Sequence, residues 1–358
     1  MAPVNSPVHQ RHPIQVEEDV GALRRTVAEM AADLPSLRDG DADLVATELG
    51  TNLLRHTDQG GYVLYRALTD GIELLALDGG PGLRAGDVPP DPNRETGRPV
   101  PQESPRPSVP RESRDGSRGL GAGLNTVRRR SVDFDWYATS AGTAILARLG
   151  ASDSTRTASW QWGGVNVPLG GSGVSGDGWA VRVDQRLVAL VVDGLGHGEH
   201  AAAATQVALT EFEHWSMRDP RSFVGHVHEA MLSTRGGVLG LCVLDQESGE
   251  LTYVGVGNIH GRVFCGQGSH RLLSRVGVLG TEIPVPDMQV ATGEWRPGAT
   301  LMLATDGIKA HWDQDGEYPA LLAHDPALIA AIVERDHSEG NDDAALLVVR
   351  DLRNPVHA

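Results

Sequence analysis

Short apolar runs recur through the second half of the chain, and this repetition constrains the fold more than any other feature. Each run is bounded by residues that favour turns, which predicts β-strands rather than helices. Two stretches with helical periodicity, near residues 199–216 and 221–234, accompany the runs. The pattern predicts strands in two sheets with flanking helices. The runs are RLVALVVD, GVLGLCVLD, LTYVGVG, HGRVFC, TLMLATD and AALLVVR.

Length and polar segments divide the chain. Its 358 residues are more than one hydrophobic core usually organises, which predicts two domains. The polar stretch ASDSTRTAS starts at residue 151, and we place a linker at 151–163 between domains at 15–150 and 164–352. A second polar segment, 83–118, is rich in proline: nine of the 21 prolines lie between Pro81 and Pro110. This composition predicts a mobile loop or a linker.

The first domain has a different pattern from the second. Helical periodicity predicts helices near 16–33, from Asp41 to about Arg55, and at 124–131. The runs GYVLYRAL and GIELLALD predict a hairpin, and FDWYA and TAILARL predict two further strands. We expect helices on one face of a mixed sheet.

Composition excludes several classes of protein. The formal net charge of −16 repels phosphate backbones and anionic lipid, so we expect neither a nucleic acid nor a membrane as partner. Lys309 is the only lysine, and it cannot serve a P-loop or a protein-kinase strand. No stretch approaches the roughly 20 apolar residues that span a bilayer, which predicts a cytoplasmic protein. Two cysteines are too few for a disulfide framework.

The predicted helix that begins at Asp41 carries polar side chains along one face. Glu48, Asn52 and His56 are spaced four residues apart, so they lie on the same side of the helix beside an apolar stripe. Such a face predicts a site. A histidine near a helix end is more often structural, and we leave His56 out of the site.

Two glycine-rich segments follow in the first domain. In ALDGGPGL, Asp78 ends a strand and the glycines after it, including Gly80 and Gly82, allow a close approach of the backbone. In GLGAGL the glycines open a helix, whose unpaired N–H groups and dipole favour an anion such as a polyphosphate. The glycines of this second segment are Gly119, Gly121 and Gly123.

In order and spacing, these motifs resemble the N, G1 and G2 boxes of the GHKL ATP-binding fold, in the version of bacterial anti-sigma factor kinases and switch kinases. The resemblance covers 15–150 and implies an α/β sandwich that binds ATP with Mg²⁺, with 83–118 as the ATP lid. It implies Glu48 as the base or water-orienting carboxylate, Asn52 as a Mg²⁺ ligand and Asp78 as the adenine reader. The further implied contacts are Thr143 on the adenine side and, around the phosphates and the turn, Gly80, Gly82, Gly119, Gly121 and Gly123.

Four aspartates stand at the ends of apolar strand patterns in the second domain. A carboxylate next to a buried strand is costly unless it is paired or holds a metal. Glycine follows three of the four directly, which allows a sharp turn and brings backbone carbonyls to the same place. The set predicts a shared divalent cation site. Its members are Asp177, Asp193, Asp306 and Asp342.

This set resembles the SpoIIE-type, protein phosphatase 2C-like serine/threonine phosphatases of bacteria, over 164–352, and implies an α-β-β-α sandwich. The match includes VVDGLGHG, GVGNI, SRVGVLG, LATDGI and NDDAALLVVR. The resemblance implies two Mg²⁺ or Mn²⁺ ions, bridged by Asp193 with the Gly194 carbonyl on one ion. It implies Asp306 and Asp342 on the other ion, with Asp177 as an outer or first-metal carboxylate. The sequence leaves Asp343 open as the alternative to Asp342.

The implied chemistry is hydrolysis of a phosphoserine or phosphothreonine by a water shared between the two cations. Asp193 and Asp306 are the residues of the phosphatase domain that we expect to be essential for catalysis, and Glu48 the one in the ATP-binding domain. His197 is a candidate general acid, but it lies four residues after Asp193, and packing near the site is the favoured alternative.

The pairing of the two domains suggests a regulator of a stress-response partner-switching pathway. The implied substrate is a phosphorylated STAS-type anti-sigma factor antagonist, and an anti-sigma factor is a further candidate partner. One alternative is a switch kinase or anti-sigma factor whose N-terminal domain phosphorylates or sequesters the antagonist while the phosphatase fold regulates it. A non-catalytic interaction protein is a second alternative, which a missing metal aspartate would favour; none is missing.

Overall fold

The structure, a computed structural model, describes 4–5, 8–32, 34–57, 60–80, 120–150, 155–171, 173–216, 219–266, 268–281, 288–312 and 320–353. The whole of the expected lid at 83–118 lies outside these residues, and so do Gly82 and Gly119. Within the described ranges, no helix has both the length and the apolar character needed to cross a membrane.

The first half of the chain forms a five-stranded sheet with three helices on one face. The elements of this part of the chain are β1 (Val4–Asn5), which lies outside this sheet, β2 (Gln10–Ile14), α1 (Glu17–Ala31), α2 (Asp41–His56), β3 (Gly61–Leu68), β4 (Gly71–Asp78), α3 (Leu120–Arg130), β5 (Asp133–Thr139) and β6 (Gly142–Gly150). The sheet order is β2-β3-β4-β6-β5. Apolar side chains of the helices, such as Leu23, Leu49 and Leu124, pack on strand residues such as Val63 and Leu74.

This sheet differs from the expected mixed sheet, because every strand pair recorded in it is antiparallel. The physical reason is that β3–β4 and β5–β6 are hairpins, and the two hairpins join through an antiparallel pairing of β4 with β6. Strand β2 also belongs to the sheet, so the sheet begins before residue 15, the expected start of the domain. The expected packing of helices on one face of the sheet is confirmed.

The second half of the chain, joined by β1 from the N-terminus, forms two stacked antiparallel sheets. Its elements are β7 (Trp160–Val167), β8 (Asp177–Val183), β9 (Leu187–Gly194), α4 (Glu199–His214), α5 (Pro220–Ala230), β10 (Gly237–Asp245), β11 (Glu250–Val256), β12 (His260–Cys265), β13 (Gly268–Leu272), β14 (Ala291–Glu294), β15 (Thr300–Ala304), α6 (Pro326–His337) and β16 (Ala344–Asp351). The six-stranded sheet has the order β1-β8-β9-β10-β11-β14, and the five-stranded sheet has the order β13-β12-β15-β16-β7. Strand β7 begins inside the stretch expected to be a linker.

Large apolar side chains, including Trp162, Trp179 and Trp295, fill the space between the two sheets. Helices α4 and α5 cover the outer face of the six-stranded sheet, and α6 packs on the five-stranded sheet through Ile329 and neighbouring residues. The result is the α-β-β-α sandwich that the SpoIIE resemblance implies.

Helix α6 is shared by both halves of the molecule. One core cluster contains Leu64 and Leu146 of the N-terminal sheet, Ile329 and Ile332 of α6, and Leu346 of β16. The helix therefore lies between the N-terminal sheet and the five-stranded sheet, with apolar contacts on both sides. The two halves have a continuous core at this layer rather than separate cores joined by a linker.

Candidate functional site

Two of the four aspartates lie opposite each other on neighbouring strands. Asp177 begins β8, Asp193 stands near the end of β9, and the antiparallel register pairs them directly. Asp177 is only 5% exposed. The hydroxyl of Thr305, the residue after β15, donates a 2.7 Å hydrogen bond to Asp177 Oδ2. Since β15 belongs to the other sheet, this bond joins the two sheets at the acidic end of the sandwich.

The five-stranded sheet contributes the other two aspartates. Asp306 follows β15, and Asp342 precedes β16, the strand beside it. Beyond the effect of burial, the charge of Asp306 raises the pKa of Asp193, and Asp306 Oδ2 accepts a 2.6 Å bond from Asn258 Nδ2. The structure thus brings four expected carboxylates to one end of the sandwich, where the two sheets meet.

Burial and mutual repulsion make these carboxylates difficult to ionise together. Burial, followed by the charges of Asp306 and Asp342, raises the pKa of Asp193 to about 8. Burial and the charge of Asp193 raise the pKa of Asp177 well above its ordinary value. The pKa of Asp342 is raised by burial and by Asp306, while His197 acts in the opposite direction. A bound cation would remove this repulsion, because it favours the ionised form of every neighbouring carboxylate.

The donor atoms suit Mg²⁺ or Mn²⁺, since all four side chains offer carboxylate oxygens. In the part of the chain that the structure describes, no three acidic, histidine or cysteine side chains form a ready-made metal cage. Mg²⁺ does not require one, because it is usually held by one or two carboxylates and keeps several waters. The residues therefore fit hydrated divalent cations better than a closed structural site.

The two neighbouring aspartates before β16 have different surroundings. Asp343 is 2% exposed, and its carboxylate accepts 2.7 Å bonds from the backbone N–H groups of Leu169 and Gly176. These bonds hold the turn that leads into β8. Asp342 is instead half-buried and experiences the charge of Asp306. The contacts favour Asp342 as the ligand and give Asp343 a structural role.

Glycine is required at position 194 for packing. A Cβ atom there would overlap the backbone carbonyl of Ala201 in the first turn of α4. The absence of a side chain lets α4 begin directly beside Asp193. The role of the Gly194 carbonyl as a ligand remains a prediction. His197 lies in the exposed loop before α4, and its role as a general acid also remains a prediction.

Two supporting residues were missed by the reasoning from sequence: Thr305 and Asn258. Thr305 directly precedes Asp306, and Asn258 belongs to the GVGNI segment, so both lay inside motifs that pointed to the site. Their hydroxyl and amide groups orient carboxylates across strand boundaries. The pairing of β12 with β15 brings Asn258 beside Asp306, and the stacking of the two sheets brings Thr305 to Asp177.

A second group of expected residues meets in the N-terminal half. A Cβ atom at Gly123 would lie 2.5 Å from Glu48 Oε2 and 3.9 Å from Asn52 Oδ1. The start of α3 therefore packs against the polar face of α2. Asn52 Nδ2 is buried and has no hydrogen-bond partner among the described residues, so this N–H₂ group can donate to an acceptor such as a phosphate oxygen. The implied role of Asn52 as a Mg²⁺ ligand would use its Oδ1 instead and remains a prediction.

Asp78 lies at the end of β4 and is 8% exposed. Its Oδ1 accepts bonds from the backbone N–H groups of Gly80, at 2.9 Å, and of Thr143, at 3.2 Å. Its Oδ2 has no recorded partner in the described ranges and is free to accept a bond from an amine. Gly121 lies in α3.

The α-β-β-α sandwich with its acidic end is the arrangement expected of a PP2C-like phosphatase domain. Residues 183–351 match the family model described as stage II sporulation protein E, SpoIIE. This match supports a SpoIIE-type phosphatase domain in the C-terminal half of the chain. A search of curated proteins found no match.

Solved structures with a similar course of the chain cover about half of this protein. A chain described with the bacterial stressosome, a modular system adapted to control secondary messenger signalling, is 28% identical, covers 53% of this chain and 99% of its own, and has a TM-score of 0.48. RsbX in complex with magnesium is 20% identical, with coverages of 55% and 97% and a TM-score of 0.47. The SiaA-PP2C domain of Pseudomonas aeruginosa is 22% identical, with coverages of 53% and 85% and a TM-score of 0.43.

Proposed function

We propose that the protein is a metal-dependent serine/threonine protein phosphatase that acts on a phosphorylated STAS-type anti-sigma factor antagonist. The observation that carries the proposal is the meeting of Asp177, Asp193, Asp306 and Asp342 at one end of the sandwich. Three of these four lie within the segment that matches the SpoIIE family.

Two Mg²⁺ or Mn²⁺ ions would be held by five groups of this site: the Gly194 carbonyl and the carboxylates of Asp177, Asp193, Asp306 and Asp342. Such ions lower the pKa of a coordinated water and neutralise charge on the phosphoryl oxygens. Within the chain, Thr305 orients Asp177 and Asn258 orients Asp306 through the hydrogen bonds given above. The acidic end would otherwise repel a phosphate dianion, so the same carboxylates that hold the cations make the site dependent on them.

The test is Mn²⁺-dependent phosphate release by Asp193→Asn and Asp306→Asn. We expect activity to fall by about 100-fold or more, since each change removes a charged ligand. Asp184→Asn is the matched control, because Asp184 is exposed at the opposite end of the same β8–β9 hairpin, and it should retain wild-type activity. Equal activity in all three variants would refute the metal assignment.

The proposed substrate class rests on the SpoIIE resemblance. A phosphorylated STAS-domain antagonist should be hydrolysed with a kcat/KM at least about tenfold above that for a short phosphoserine peptide, because a folded partner adds contacts beyond the phosphate. The same kcat/KM for both substrates would contradict the substrate class while leaving the phosphatase assignment intact.

We further propose that the N-terminal half binds ATP with Mg²⁺. Support comes from the contact of Gly123 with Glu48 and Asn52, the unpaired amide of Asn52 and the free Oδ2 of Asp78. In this proposal Asp78 accepts a bond from the adenine amine, and the N–H groups at the start of α3 face the phosphates.

Nucleotide affinity tests this second function. Asp78→Asn and Asn52→Ala should each weaken binding of a fluorescent ADP analogue by about tenfold or more, whereas Asp70→Asn, in the turn at the other end of the β3–β4 hairpin, should not. Unchanged affinity in the first two variants would refute the nucleotide site. Transfer of labelled phosphate from ATP to the antagonist, without phosphate release from the phosphorylated antagonist, would instead favour the switch-kinase alternative.

A further inference from the structure

Helix α6 of the sandwich reaches the proposed nucleotide site of the N-terminal half. Arg335, near the end of α6, donates from Nη1 to the backbone carbonyl of Asp78 at 3.0 Å and to that of Thr143 at 3.3 Å. These carbonyls belong to the end of β4 and the start of β6. One guanidinium nitrogen thus links the two strand ends that present Asp78 and Thr143.

The guanidinium is held in a fixed orientation. Its Nε and Nη2 donate to the two carboxylate oxygens of Asp336, at 2.6 and 2.9 Å. The side chain of Arg335 is 7% exposed. Because Asp336 occupies one edge of the planar group, Nη1 is directed at the strand ends.

The backbone of the N-terminal half leaves room for this contact. A Cβ atom at Gly142, the first residue of β6, would lie 2.8 Å from Arg335 Nη1 and would overlap the carbonyl of Asp78. Gly142 also has a φ of +143°. A residue with a side chain would separate the two strand ends or displace the arginine.

The same strand ends fix the Asp78 carboxylate. Its Oδ1 accepts the Thr143 N–H, while the carbonyls of both residues accept from Arg335. Loss of Arg335 would leave two carbonyls without this donor and let the strand ends move apart, which would also move Oδ2. The position of the adenine-reading oxygen therefore depends on a side chain from the phosphatase half.

We propose that Arg335 is a positioning residue of the nucleotide site, so that the phosphatase half completes a site selective for adenine nucleotides in the N-terminal half. The proposal rests on the proposed nucleotide binding and deepens it. Arg335 does not contact the nucleotide itself; it acts through Asp78 and Thr143.

The test compares Arg335→Ala with Arg11→Ala. Arg11 is the matched control because it connects the N-terminal half to α6 at the preceding residue, Glu334, and stacks on Tyr62, without reaching Asp78. Binding of fluorescent ADP and IDP analogues to the full chain is measured, with the melting temperature of each variant. IDP lacks the exocyclic amine that Asp78 would read.

We expect Arg335→Ala to weaken ADP binding by about tenfold and IDP binding by less than about threefold, so the preference for ADP falls. Arg11→Ala should change both affinities by less than about twofold. Arg335→Lys, which keeps one cationic donor, should recover part of the preference and serves if the alanine variant does not fold.

Equal losses for ADP and IDP, or equal effects of Arg335→Ala and Arg11→Ala, would overturn the proposal, because either result indicates general loosening of the contact between the halves. A wild-type chain that binds neither analogue would refute nucleotide binding itself, and the role of Arg335 with it. The two failures are distinguishable, since one is seen in the wild type and the other only in the variants.

Discussion

Asp342 and Asp343 show how position separates two identical side chains. They are adjacent at the start of an extended strand, where successive side chains point in opposite directions. Asp343 therefore turns inward to the N–H groups of Leu169 and Gly176, and Asp342 faces the acidic end of the sandwich. The sequence predicted a carboxylate here but could not choose between them, because the choice depends on a turn about 170 residues earlier in the chain.

The different surroundings of the two aspartates predict different effects on stability and on Mn²⁺ binding when each is replaced by alanine. Asp343→Ala should lower the free energy of unfolding by about 1–3 kcal/mol, because two N–H groups, one of them buried, lose their acceptor. Asp342→Ala should leave stability without metal unchanged or slightly higher, because it removes a repulsive charge, while it weakens Mn²⁺ binding. Urea denaturation in EDTA and Mn²⁺ titration measure the two effects. If Asp342→Ala lowers the free energy of unfolding more than Asp343→Ala does, then Asp342 is the structural residue and Asp343 the metal ligand.

At the scale of elements, α6 is the helix that the sequence patterns did not predict. Its residues from Pro326 to Val333 are buried, so it has no polar face over its first two turns and gives no helical period. The start signal was present: Asp325 caps the helix by accepting from the Ala327 N–H, and proline occupies the first position. Without amphipathic periodicity, the capping residue and the proline alone do not identify a helix.

The cap of α6 is also a link to the N-terminal sheet. Arg148 of β6 donates two hydrogen bonds, of 2.9 and 3.0 Å, to the carboxylate of Asp325. The same arginine pairs with the buried Glu73. Burial alone would raise the pKa of Glu73, but the charges of Arg66 and Arg148 hold it well below its ordinary value. These partners are far apart in sequence, which is why spacing could not predict the network.

At the scale of the whole molecule, local periodicity predicted strands in two sheets with flanking helices in the second half and helices on one face of a sheet in the first half, and the structure has both. The sandwich was implied by the SpoIIE resemblance rather than by periodicity. The division into two domains and the residues of the two sites stay predictions. The position of α6 between the two halves was not predictable from local periodicity or motif spacing, because it results from contacts of α6 with β4 and β6. The same contacts place Arg335 behind Asp78, so the role proposed for Arg335 depends on how the two halves pack.

The central claim is that the four carboxylates at the end of the sandwich hold divalent cations for phosphate hydrolysis. The most direct measurement is phosphate release from a phosphoserine protein by chain stripped with EDTA and then titrated with Mn²⁺. The account predicts no measurable release in EDTA and recovery to the initial rate on addition of Mn²⁺, with no recovery in Asp193→Asn. The same rate of release with and without metal would contradict the claim.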